Sequence, residues 1–206
     1  MREFFIINKH KLRFAALVSW LLFGFLISIV FVFYFSDDKS VTFWRGILIT
    51  ALYASLATCI LITVAISFGG YEFTRKKRVF GQPEWNSFFS KNNFQTIQIY
   101  QHTKWVLTEE VKTGYIKSFP VLADIKRDKA GYVQFLYFIE HLSIDKKRFR
   151  ELKQTLKKSG GAIEIGYICK KIKRTRNLSE EQIAKELWEF ADQLEKEGFI
   201  PKSNGR

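Results

Sequence analysis

The chain has 206 residues, 47% of them hydrophobic, with 33 Lys and Arg against 20 Asp and Glu for a formal charge of +13. That length leaves room for one ordinary domain beside a membrane segment and excludes a longer multidomain architecture. Two cysteines (Cys59, Cys169) and three scattered histidines (His10, His102, His141) exclude a disulfide framework and a zinc site.

The first feature along the chain is an apolar run over residues 14–35, and a second covers residues 46–68. Neither contains a charged side chain. A helix rises about 1.5 Å per residue against a hydrocarbon core roughly 30 Å thick, so each run is long enough to span a bilayer. The first is too long for the apolar region of a signal peptide, and the Tyr34-Phe35-Ser36-Asp37-Asp38 that ends it lacks a small-x-small cleavage pattern. It reads as a retained anchor. Arg2, Lys9, Lys11 and Arg13 precede the first run, and Arg75, Lys76, Lys77 and Arg78 follow the second. The stretch between them carries only Lys39 and Arg45 against Asp37 and Asp38. Positive flanks stay on the cytoplasmic side, so the pattern predicts a two-pass hairpin in the plasma (inner) membrane with both termini cytoplasmic. Tyr34, Phe43 and Trp44 fall where an aromatic belt belongs.

Small residues mark both runs: Gly24 with Ser28 in the first, and Ala51, Ser55 and Cys59 in the second, flanked by Ala54 and Thr58. Such residues let helix backbones approach closely. The simpler expectation is packing within one hairpin, and the sharper one is a homo-oligomer built through the same faces. Neither run holds an ionisable side chain, which argues against a transporter or a proton-driven motor. A pore gated by apolar constriction needs no such charge.

This pattern divides the chain into a tail and transmembrane hairpin (1–68), a basic juxtamembrane linker (69–82) and a cytosolic α+β domain (83–206). Gly69-Gly70 reads as a flexible exit. Arg75, Lys76, Lys77 and Arg78 read as contacts for anionic lipid, since each cation near the inner leaflet contributes about 1 kcal/mol. Pro83 suits the first turn of a short helix that places Trp85, Phe88 and Phe89 on one side. Strands are predicted over 96–101 and 104–110, and over 115–125 and 132–141 as a hairpin, the first arm bent or at an edge because of Pro120. Ser143 would cap a helix to about residue 159, with Phe149, Leu152 and Leu156 on its apolar side and Gly160-Gly161 ending it. A strand over 163–171 would place Ile163, Ile165, Tyr167 and Cys169 on one face. In the last helix Ser179 and Gln182 form a capping box, Leu178 and Ile183 a hydrophobic staple, and Gly198 the stop. The predicted fold is thus α+β: an antiparallel sheet covered on one face by about three helices, behind a two-helix transmembrane hairpin.

No catalytic motif emerges. Glu140 and His141 are adjacent on a strand and point to opposite faces, Cys169 beside Lys170 and Lys171 reads as a core thiol, and no Gly-rich phosphate loop or nucleophile elbow is present. The sequence implies no cofactor and no metal. The remaining signal is charge: residues 69–206 hold 27 Lys and Arg against 17 Asp and Glu, a net of +10. The densest cluster, Lys170, Lys171, Lys173, Arg174 and Arg176, is a candidate site for phosphate groups. No aromatic platform or recognition helix accompanies it, which argues against nucleic acid. The leading expectation is a non-enzymatic membrane-anchored binding or scaffold protein. The alternatives are an oligomeric two-span effector gated by a nucleotide second messenger, and an accessory subunit bound to a membrane-protein partner.

Overall fold

The computed structural model describes residues 1–35, 43–125, 131–140, 146–164, 166–175 and 178–202. The chain folds as two compact units, Met1–Thr74 with Tyr100–Glu109, and Arg75–Ile99 with Glu110–Arg206.

The first unit is built on two long helices, α1 (Arg2–Phe35) and α2 (Phe43–Phe80), of which α2 runs on into the second unit. Both are long and apolar enough, by length and composition, to cross a bilayer. At 34 and 38 residues they reach about 51 and 57 Å, well past their apolar runs. The side chains of Tyr34, Phe43 and Trp44, the expected belt, lie outside the described residues. Ala54 and Thr58 are the small residues buried between the helices, whereas Ser55 and Cys59 stay exposed. Ser55 Oγ accepts a hydrogen bond from Trp20 Nε1 (3.1 Å), and a methyl group on Gly24 would sit 4.0 Å from Ala54 Cβ. Gly69-Gly70 is no flexible exit, because α2 passes through it without a break. Its role is close approach: a Cβ at Gly69 would meet Phe4 at 2.7 Å and Leu107 at 2.9 Å. Only a hydrogen atom fits between those two side chains.

The second unit carries α3 (Pro83–Lys91), β1 (Gln95–Ile99), β2 (Glu109–Ile116), β3 (Phe119–Asp124), β4 (Tyr132–Phe138), α4 (Lys146–Lys158), β5 (Gly161–Glu164), β6 (Tyr167–Lys173) and α5 (Glu180–Lys196). These strands form one six-stranded open sheet in the order β1-β2-β3-β4-β6-β5, and four of its neighbouring pairs are antiparallel: β2–β3, β3–β4, β4–β6 and β5–β6. The predicted α+β class with an antiparallel sheet and three further helices is what forms. Period-two alternation turns Phe119, Val121, Ala123, Val133, Phe135, Tyr137, Ile168 and Ile172 to one face, where they pack with Trp85, Phe88 and Phe89 of α3, Leu152 and Leu156 of α4, and Ile183, Leu187 and Phe190 of α5. Tyr137 is fully buried, and its hydroxyl donates to Leu187 O (3.0 Å), while desolvation raises its pKa well above the ordinary value. Glu180 opens α5 and ties it to α3 by accepting from Ser87 and from Lys91 Nζ (2.9 Å). These bonds, Ser87's first, hold its carboxyl below the usual range.

Several strand expectations differ from this structure. Residues 104–108 are no strand but part of an irregular loop before β2. The single arm expected over 115–125 is a hairpin, with Lys117-Ser118 between Ile116 and Phe119 and Lys117 at φ +54. Pro120 therefore lies in an interior strand, paired with Tyr115. It costs no ladder bond there, because the β3–β4 register begins only at Val121. The strand expected over 163–171 is also a hairpin, turning at Gly166 (φ +81). That turn pairs Ile163 with Ile168, so Cys169 falls on the opposite face from Ile163. Of the apolar side expected for α4, Leu152 and Leu156 are buried and Phe149 is 40% exposed. Ser143 and Ile165 lie outside the described residues.

Candidate functional site

The basic run at the end of α2 does not act as one patch. Successive helical residues are rotated by about 100°, so four in a row surround the axis rather than share a face. Lys76 turns inward: its side chain is 9% exposed and its Nζ lies 2.6 Å from an Asp124 carboxylate oxygen on β3. Arg75 is half-buried, and Lys77 and Arg78 are exposed. Val79 and Phe80 then enter the core. One cation of the four is thus a structural ion pair, and the exposed charge is carried by Lys77 and Arg78.

Of the second cluster, Lys170, Lys171 and Lys173 sit on β6, and strand alternation divides them. Lys170 lies on the helix-covered face, where its Nζ donates to Ser159 O (2.6 Å) just beyond the end of α4. The same Nζ is 3.6 Å from Glu186 and 5.5 Å from the centroid of the Phe190 ring. It satisfies a helix-end carbonyl and joins α4 to α5. Lys171 and Lys173 belong to the other face, Lys173 exposed and Lys171 half-exposed. Arg174 is half-buried, and its backbone N–H continues the ladder to Gly131 O (2.8 Å). Arg176 lies outside the described residues. Register aligns Lys171 with Gln134 and Gln134 with Asp124, the partner of Lys76. Along this row the carboxylate is taken by Lys76, and Lys171 is aligned with the neutral Gln134.

Chemistry elsewhere is sparse. Glu140 is exposed just past β4 and its expected neighbour His141 lies outside the described residues. Cys169 is buried in the sheet and Cys59 is exposed on α2. Among the described residues, no group of three His, Cys, Asp or Glu is placed to hold a metal ion.

What sequence reading missed is the loop over 100–109, which packs on the second to fourth turns of α1. Asn8 is fully buried. Its amide accepts from Thr108 N (2.7 Å) and donates to Thr108 O (3.2 Å), matching both backbone groups of one residue. One turn on, Lys11 Nζ donates to Val106 O (2.7 Å) and to Tyr100 O. Beyond that, the Phe14 ring meets Trp105 edge-on with centroids 4.9 Å apart. The only trace in the sequence is an apolar triplet, Trp105-Val106-Leu107, between polar flanks. Comparison with known protein families, with curated proteins and with solved structures finds no match for this chain.

Proposed function

We propose that this chain is a two-pass, membrane-anchored, non-enzymatic binding or scaffold protein whose basic α+β domain is held at the cytoplasmic face of the inner membrane. The observation that carries the reading is the exposure of the apolar helices. None of the residues in the most apolar window of α1 is buried, and only 11% of those in α2 are. Leu17, Leu21, Phe25, Leu48, Leu52 and Leu56 are each more than half exposed, a contiguous apolar surface that water does not tolerate and lipid does. The distribution of Lys and Arg at the ends of the runs favours both termini inside.

The test is extraction and topology together. The full chain should stay in the pellet under alkaline carbonate, and a C-terminal fusion to a fluorescent protein should glow while a fusion to alkaline phosphatase stays inactive. Release into the supernatant, or an active phosphatase, overturns the reading. Anionic-lipid contact follows from Lys77 and Arg78. Replacing both by Gln is expected to weaken retention of phosphatidylglycerol relative to phosphatidylcholine, read by native mass spectrometry, by roughly fivefold per charge. An unchanged preference removes the lipid contact from the proposal. The ligand-gated alternative draws less support, because Lys170 is engaged with α4 and α5 while Lys171 and Lys173 belong to the other face.

A further inference from the structure

We infer that the loop over residues 100–109 is an interfacial membrane anchor, seated in the headgroup region where the two helices enter the bilayer. The inference rests on the reading of α1 and α2 as a membrane hairpin. It adds a third point of attachment.

The first support is the level at which the loop is held. Phe14, which the Trp105 ring contacts, is the first residue of one apolar run. Gly69, which Leu107 approaches, immediately follows the other. The loop is thus held against both helices near the N-terminal end of α1: Leu107 beside Gly69, which also packs on Phe4, and Trp105 further along, where the first apolar run begins. From Asn8 to Phe14 the axis rises about 9 Å. The loop climbs that distance from Thr108 to Trp105, which brings the Trp105 ring to the start of the apolar run, the level at which interfacial elements sit.

The second support is what the loop presents. Trp105 is 73% exposed, Tyr100 48% and Val106 44%, an aromatic-rich surface on a segment that water would select to be polar. Trp and Tyr favour this zone because an apolar ring and a polar N–H or O–H are satisfied together there. Lys104 lies beside them, its Nζ 5.6 Å from the Phe14 ring centroid, with a stem long enough to reach headgroup phosphates. The third support is fixation: the Asn8 and Lys11 bonds hold the loop in one shape, so its aromatic surface is presented rather than free to fold away.

Depth measurement on the full chain tests this. A spin label is placed at position 105 (Trp105→Cys), in a Cys59→Ala background that leaves only the buried Cys169, and the protein is reconstituted in phosphatidylcholine–phosphatidylglycerol nanodiscs. Labels at Phe25→Cys and Lys153→Cys serve as membrane and aqueous references. The ratio of oxygen to nickel-chelate accessibility at 105 is expected to rise above that at 153 and stay below that at 25. If 25 reports lipid while 105 matches 153, the anchor is overturned and the hairpin stands. If 25 itself reports water, the hairpin reading fails and the anchor falls with it. A label at 105 shielded from both reagents means that protein covers the loop, which also overturns the inference. Trp105→Ser, at an exposed position, should keep the parental melting temperature and lose that share of anionic-lipid retention that the loop supplies. Unchanged retention counts against the anchor.

Discussion

Trp85→Ala is expected to destabilise the α+β unit by about 3–5 kcal/mol, the range for removing a fully buried large aromatic side chain. Trp85 is 1% exposed, and its ring lies 6.2 Å from those of both Phe89 and Phe135, so it joins α3 to the centre of the sheet. The helix it belongs to has nine residues, too few to persist on its own propensity. Packing of Trp85, Phe88 and Phe89 is what makes α3 a helix, and a cavity at the first weakens the other two. Denaturant unfolding of the full chain in detergent, followed by circular dichroism, measures the loss. Trp188→Ala is the control. That tryptophan is 47% exposed on α5, so its removal should stay within about 0.5 kcal/mol. Equal losses at the two positions would mean that α3 does not close the core.

The second large effect concerns the buried ion pair. Asp124→Ala leaves Lys76, 9% exposed, without its carboxylate and should cost about 3–5 kcal/mol, as breaking a buried pair from one side does. Lys76→Met should cost a comparable amount by leaving Asp124 uncompensated. The double replacement, Lys76→Met with Asp124→Leu, is expected to recover most of either loss, since apolar side chains of similar volume need no desolvated partner. The same unfolding measurement closes the cycle. Additive single losses would show that the two residues do not interact. The pair also explains why a run of four cations at the end of an apolar helix cannot be read as four lipid contacts, since one of them folds the domain.

How much is legible in the sequence depends on whether the signal is local. α5 announces itself completely: the Ser179–Gln182 capping box forms with both of its bonds, and Ile183, Leu187, Phe190, Ala191 and Leu194 are the buried stripe. All of that information lies within one helix. The Pro83 helix and its three buried aromatics are legible for the same reason. The hairpin turn at Lys117-Ser118 is not, because Lys117 takes a positive φ without the glycine or asparagine that usually signals one. The basic clusters mislead in a different way. Proximity in sequence suggests proximity in space, while strand alternation separates Lys170 from Lys171 and helical rotation separates Lys76 from Lys77. The Asn8–Thr108 clasp joins residues a hundred positions apart, so only the fold brings it into view.

The strand order has a consequence for how this chain is made. β6 sits between β4 and β5, and α3 packs against α5, so the core cannot close before residue 190 or so has emerged from the ribosome. At about 5–20 residues per second, α3 waits roughly 5–20 s for α5 to be synthesised. Throughout that interval Trp85, Phe88 and Phe89 have no helix to cover them, while the apolar pair upstream is already complete. The nascent domain therefore needs shelter for its aromatic side at birth. On the proposed reading of α1 and α2 as a membrane hairpin, the nearest apolar surface is the membrane itself.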